Sequence, residues 1–348
     1  MGRNDITIEE ALNMNNVCYV DLRSEGEYAE DTIPGAINIP IFNNQERALI
    51  GTTYKQIGVE QAKELGLEII APKLLVIYKQ LRDIAATKTL IVFCWRGGMR
   101  SKFVLSVVSS LGIPMLRISG GYKSYRKYVV QYLDREKLPH KAVVLHGLTG
   151  VGKTEVLEKL TSMKEPVLDI EGLAKHRGSV YGKIGMPASP SQKSFESMIV
   201  DKLRKYEKVN YFLVECESRR LGKLLVPQIV LNTMADGYKV LLYAKLGKRV
   251  ARITKDYTMG KDHNIEALKS ATSLLYKRLG KQKVAELNQM LDEHKFDDVF
   301  SFLLTTYYDP LYKYPQQPDN GFDLCVDTGD IKQAVKEIAA FTKKISNN

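Results

Sequence analysis

No stretch of this 348-residue chain approaches the roughly 18 consecutive apolar residues that a membrane-spanning helix needs. The polar start, residues 1–5, lacks the apolar core of a signal peptide, so a cytoplasmic protein is expected. Cysteine is scarce and scattered. Cys18, Cys94, Cys216 and Cys325 form no CxxC pair and no metal-ligand cluster, which speaks against both a disulfide framework and a zinc site. Three of them lie in apolar, strand-like contexts and are expected to be inert core residues; Cys94 is the exception. No internal repeat, low-complexity segment or Asn/Thr-Lys-x-Asp guanine signature occurs.

What is present is ordinary globular material. With 44% apolar and 26% charged residues there is enough for a core in each of the two domains that the length suggests. The formal net charge of +11 is compatible with a polyanionic partner, because cations that neutralise phosphates release counterions.

Buried-strand patterns at 17–22, 89–93 and 113–118, a turn and strand at 33–40, and helical patterns at 6–12, 24–29, 44–81 and 102–111 predict a first α/β unit. The polar segment 134–140 is the expected linker. A second α/β unit follows, with strands at 141–146, 167–170, 211–215, 240–244 and 322–326, and helices at 153–163, 264–304 and 331–345. The predicted domains are therefore 1–133 and 141–348. Sites in such sheets lie beyond the carboxyl ends of the strands, where both distinctive loops of this sequence begin.

Residues 147–154 read Gly-Leu-Thr-Gly-Val-Gly-Lys-Thr, a phosphate-loop pattern with a strand before it and a helix after it. Gly147, Thr149, Gly150 and Gly152 let the backbone wrap an anion at a helix N-terminus, and Lys153 adds a charge. Thr154 would ligate the Mg2+ of a bound nucleotide. A conventional nucleotide hydrolase places an aspartate at the end of a later strand; here that strand ends in Glu215, followed by Cys216, Glu217 and Ser218. The loop thus points to a phosphate or diphosphate ligand without specifying hydrolysis. Arg219 and Arg220, Lys248 and Arg249, and Arg252 follow two strands and have two readings, a clamp for phosphate or nucleic acid, or solvated surface charge.

The other loop is Ile-Val-Phe-Cys-Trp-Arg-Gly-Gly-Met-Arg-Ser, residues 91–101. Loop amides and a following helix N-terminus favour thiolate over thiol at Cys94. Together with Asp-Leu-Arg-Ser-Glu-Gly-Glu-Tyr at 21–28 and Ile-Pro-Gly-Ala-Ile-Asn-Ile-Pro at 33–40, this loop resembles a rhodanese domain. That resemblance implies a cysteine able to carry sulfur as a persulfide. Five residues separate Cys94 from Arg100, where the common sulfurtransferase loop has four. The wider loop is that of rhodanese-like dual-specificity phosphatases, but Phe93, not histidine, precedes Cys94.

A rhodanese-like parallel-sheet domain followed by a P-loop NTPase-like α/β domain resembles the tRNA 2-selenouridine synthase family. Gly-Leu-Ala-Lys-His-Arg-Gly-Ser at 172–179, Glu-Cys-Glu-Ser-Arg-Arg at 215–220 and Tyr-Tyr-Asp-Pro-Leu-Tyr at 307–312 extend the match across the second domain. The resemblance implies two co-substrates, with Mg2+ as a candidate metal. The 2-thio group of a tRNA wobble uridine would be alkylated from geranyl diphosphate, and selenium from selenophosphate would then displace the S-geranyl group. Gly152, Lys153 and Thr154 would hold the diphosphate, with His176, Arg177 and Ser179 completing the site. Glu217, Arg219 and Arg220 would line it or touch tRNA. Cys94 would act in the selenium step, with Arg96 and Arg100 on the selenophosphate anion. Tyr122, Lys123, Tyr125 and Arg126 would stack and pair with an anticodon base, or else the tyrosines pack on a helix face. Three alternatives compete: a rhodanese-like cysteine phosphatase, an ATP-dependent tRNA sulfurtransferase, and a nonenzymatic nucleotide-binding module.

Overall fold

Thr89–Phe93 (β4) carries four successive buried apolar side chains, and such a strand needs cover on both faces of a parallel sheet. In the computed structural model, which describes residues 4–216, 218–258 and 264–346, it has that cover. The chain divides into two compact units, Met1–Asp134 with Glu196–Met198, and Arg135–Phe195 with Ile199–Asn348.

The first unit is built on β4 together with Asp5–Ile6 (β1), Val17–Asp21 (β2), Ile37–Asn38 (β3) and Met115–Ile118 (β5). These five strands form one parallel sheet in the order β1-β5-β4-β2-β3. Helix Met99–Ser110 follows β4 and helix Gly121–Leu133 follows β5. The helical region expected at 44–81 is broken into Asn44–Gln56, Val59–Ile70 and Leu74–Ala85. Gly58 caps the second of these, and Pro72, which cannot donate a helical hydrogen bond, sits in the single turn Ala71–Lys73 before the third.

The second unit has Lys141–His146 (β6), Tyr211–Glu215 (β7), Arg220–Leu221 (β8), Leu224–Leu225 (β9), Tyr238–Tyr243 (β10) and Leu324–Asp327 (β11). Four of them form a parallel sheet ordered β11-β10-β6-β7, and β8 pairs antiparallel with β9. The strand expected at 167–170 shrinks to a single bridge from Val167 to Leu213. Asp169 decides this: its side chain accepts the Gly172 amide at 2.8 Å and caps helix Ile170–Ala174 instead. Helices Gln192–Tyr206, Gln228–Ala235 and Leu246–Tyr257 were not legible in the pattern. The helical region at 264–304 is realised as a cluster of short helices ending in a π-helical segment, Leu303–Tyr308. Among the described residues no helix is long and apolar enough to cross a membrane.

Cys18 is buried, as expected, but Cys216 and Cys325 are only half-buried. Cys216 follows the last residue of β7 and receives the Tyr314 hydroxyl at 3.3 Å, and Cys325 lies on the edge strand β11, which has a neighbour on one side only. Neither position has the two-sided cover that makes a core residue.

Candidate active site

Cys94 leaves β4 at its carboxyl end and is 3% exposed. Its Sγ lies 3.2 Å from Ser101 Oγ in the first turn of the following helix. The loop is fixed by its carbonyls. Tyr122 N donates to Cys94 O at 2.8 Å, Lys123 N to Trp95 O at 2.9 Å, and the Arg117 guanidinium to Gly97 O. Arg117 is held in turn by Asp5 at 2.7 Å, which raises its pKa. Loop carbonyls taken up by neighbours are the polarity that an amide-lined anion cradle requires. Gly121, at φ 58°, packs so closely that a Cβ there would strike Cys94 O and Gly97 N.

Arg96 is exposed on the loop. Arg100 is half-buried and donates to Glu27 at 2.9 Å. Burial pushes the Glu27 carboxyl up, but Arg100, the Ser24 amide and Arg47 outweigh it and hold the group below its ordinary range. Arg96 and Arg100 are therefore unlike: one stands in solvent and the other is already paired.

Beneath the loop lies a buried ion pair, Arg23 to Asp21 at 2.6 Å, with the Arg23 guanidinium 3.9 Å over the Tyr122 ring. Tyr122 also donates to Asp31 at 2.8 Å. Tyr122, Tyr125, Val129 and Tyr132 recur at helical spacing and are all buried, so of the two readings of these tyrosines the packed helix face is the one realised. Lys123 is exposed and Arg126 half-buried.

In the second unit Lys153 opens helix Lys153–Ser162 and its Nζ donates to Gly147 O at 3.1 Å. Gly147 (φ 141°) abuts β10 so closely that a Cβ would strike Leu242 O. The loop is braced through its carbonyls here too. Arg249 Nε donates to Thr149 O at 2.8 Å, Arg252 to Val151 O at 3.1 Å, and Thr328 Oγ1 to Val151 O at 2.6 Å. Arg249 is 1% exposed and forks onto Asp309 at 2.9 and 2.5 Å. These two arginines are not solvated surface charge; both hold the loop. Thr149 and Gly150 are half-buried, Gly152 packs against Ile331 and Arg252, and Thr154 is exposed.

Ser179 lies near the phosphate loop. With Thr149 it borders a narrow cleft walled by Tyr181, Ile253, Tyr257, Leu304 and Tyr308. The Tyr257 hydroxyl stands close to Ser179, and the Tyr308 hydroxyl is buried with no hydrogen-bond partner among the described residues. Arg177 lies over the Tyr257 ring at 5.6 Å. His176 is buried between Gly182 and Gly222, accepts the Gly178 amide at 3.1 Å, and is held neutral by burial and by Lys183. Gly222 brings the β8–β9 hairpin to this place, with Arg219 and Arg220 exposed. Glu217 lies outside the described residues.

The family model for the tRNA 2-selenouridine synthase AAA domain matches residues 140–344, and a rhodanese-like domain model matches residues 7–128. The chain belongs to the tRNA 2-selenouridine synthase family. It is 36% identical to the tRNA 2-selenouridine synthase of Nitrosomonas europaea, over 74% of this chain and 67% of that one. It is 31% identical to the Pseudomonas entomophila synthase over 96% of this chain and 97% of its relative, and 30% identical to that of Shewanella frigidimarina over 94% and 95%.

For this synthase-family chain the Tyr-Tyr-Asp-Pro motif acquires a mechanical meaning. Tyr308 walls the cleft at the end of the π-helical turn, and Asp309 holds Arg249 under the phosphate loop. π-Helical turns occur often at functional sites. Asp309→Ala strands a buried guanidinium, so a loss of about 3–5 kcal/mol of stability is expected in denaturant unfolding, with Asp309→Asn losing less.

The pair Arg117 and Asp5 escaped sequence reading, although an arginine inside a predicted buried strand was the available signal. His146, the last residue of β6, escaped it too. Its Nδ1 is 3.2 Å from the Tyr314 hydroxyl, and its Nε2 is buried with no hydrogen-bond partner among the described residues. Burial, with Lys239 and Lys153, lowers its pKa to about 4 from 6.5. Between these values the unfolded chain binds the proton and the folded chain does not, so stability falls as pH drops from 6.5 toward 4. His146→Gln should flatten that slope in urea midpoints measured at pH 7.5 and pH 5.

Proposed function

We propose that this chain converts 2-thiouridine in tRNA to 2-selenouridine in two steps, through an S-geranyl intermediate at the wobble position. tRNA as substrate is supported by the name its relatives carry and by the net charge of +11. The observation that carries the finer reading is the phosphate loop itself, with the Lys153 ammonium on Gly147 O at a helix N-terminus and tyrosine, isoleucine and leucine side chains beside Thr149; the cleft among those side chains measures about 10 Å3, so an attached hydrocarbon chain lies against them rather than within it.

In the first step the thiouridine sulfur attacks C1 of geranyl diphosphate. The C–O bond breaks and its electron pair leaves with the diphosphate. Lys153, the 147–152 amides and the helix N-terminus stabilise the charge that develops there. His176, Arg177 and Ser179 would complete this site, and Glu217, Arg219 and Arg220 would line it or touch tRNA. A Mg2+ ion accompanying a diphosphate needs few protein ligands, and Thr154 and Glu215 are the oxygens that would serve it.

In the second step selenium of selenophosphate adds at C2, the C–S bond breaks, and geranyl thiol departs after protonation. Water then cleaves the Se–P bond and releases phosphate. Arg96 binds the anion, Arg100 completes the charge beside Glu27, and Cys94 stabilises and protonates the displaced thiolate.

Nucleoside mass spectrometry of thiolated tRNA tests this reading. With geranyl diphosphate alone the S-geranyl nucleoside should accumulate, and selenophosphate should then convert it. Selenation that proceeds without geranyl diphosphate and consumes ATP would establish the sulfurtransferase-like route instead.

A further inference from the structure

The first unit holds a cavity of about 820 Å3 between helices Asn44–Gln56, Val59–Ile70 and Met99–Ser110. That volume falls within the range of small-molecule sites. Its wall is apolar, with Phe42, Ile50, Leu67, Ile70 and Phe103 among the lining side chains. Five cations share the lining, Arg47, Lys55, Lys63, Arg100 and Lys102, and no acid does. Arg47 and Arg100 share Glu27 and Lys63 pairs with Glu60, so the outer acids are already engaged. An apolar interior under a cationic rim is complementary to an amphiphile with an anionic head.

The position of the cavity narrows the choice. Met99 and Arg100 belong both to its wall and to the turn that carries the Cys94 loop into its helix. Met99 and Leu67 are exposed to 57% and 54%, so the apolar surface continues outward beside that loop. A chain lying in the cavity would therefore start next to the thiol.

We propose that this cavity receives the geranyl chain of the S-geranyl tRNA intermediate and presents its C–S bond to the Cys94 loop, while the cationic rim takes the neighbouring phosphates. This rests on the two-step reading above and assigns the chain a place in the second step, separate from the cleft beside Thr149. Seating the chain there binds the leaving group of the selenium step and favours alkylated over unalkylated tRNA.

Two substitutions fill the cavity from two of its helices. A Cβ on Gly51 meets nothing within 4 Å, and one on Gly66 makes only ordinary contact with Phe42 at 3.5 Å. Gly51→Trp and Gly66→Phe should each raise KM for selenation of pre-geranylated tRNA by about tenfold or more. Geranylation of thiolated tRNA from geranyl diphosphate should stay within about twofold, and the unfolding midpoint should hold. tRNA carrying the shorter S-dimethylallyl group should be selenated by the variants nearly as well as by the wild type, a rescue that a merely misfolded domain would not give. Selenation of geranylated tRNA at wild-type rates by both variants overturns the proposal, as does equal loss of both steps. A wild-type enzyme that leaves pre-geranylated tRNA unconverted removes the two-step reading itself and the proposal with it.

Discussion

Lys153→Ala is expected to lower geranyl transfer from geranyl diphosphate by about 10²–10³-fold, about 2.7–4 kcal/mol of transition-state stabilisation. The lysine opens the helix behind the phosphate loop, and its ammonium already bonds to the loop at Gly147 O. On the two-step reading proposed above, it is thus preorganised where the charge of the departing diphosphate would develop. Selenation of tRNA that is already geranylated should remain, because the proposed reading assigns that step to the other domain. The measurement is single-turnover formation of the S-geranyl nucleoside, followed by selenophosphate addition to pre-geranylated tRNA. Normal geranylation by the variant would remove the diphosphate from this loop. Lys153→Arg keeps the charge and should recover only part of the rate, since a planar fork does not reproduce a compact ammonium.

Cys94→Ser should behave in the opposite way. S-geranyl tRNA should accumulate at the wild-type rate, and its conversion to the selenonucleoside should fall by about 10²–10⁴-fold, because a serine hydroxyl is a far weaker acid than a thiol and cannot deliver the proton that the departing geranyl thiolate needs. The thiol is buried beside Ser101, so the substitution changes one atom within an otherwise preserved pocket. A variant that keeps full selenation would show the Cys94 loop to be a binding cradle alone. Arg96→Ala should raise the KM for selenophosphate, whereas Arg100→Ala also leaves Glu27 without its closest partner.

Much of this arrangement was legible in the residues. β4, β6 and β7 were read at their observed limits; the apolar runs of β6 and β7 are bounded on both sides by polar residues, and that of β4 starts after Lys88 and Thr89 and runs into the cysteine loop. The strand expected at 167–170 was not, because local capping by Asp169 competed with strand pairing and won. The arginines were the least readable. Arg249 and Lys248 look alike as a basic pair, yet Arg249 is buried on Asp309 while Lys248 is exposed. Sixty positions separate Arg249 from Asp309, and spacing in sequence carries no sign of that contact. The tyrosines at 122 and 125 could equally stack on a base or on protein until helix Gly121–Leu133 turned them inward.

The sequence by itself determined the two α/β units, the phosphate loop, the exceptional cysteine and the family, because each is written in contiguous residues whose chemistry is local. Only the tertiary structure decided which cations hold a loop and which face solvent. It alone placed the apolar cleft at Thr149 and the larger cavity beside Cys94. Both are made by side chains far apart in sequence, and their shape follows from how helices pack rather than from any one segment.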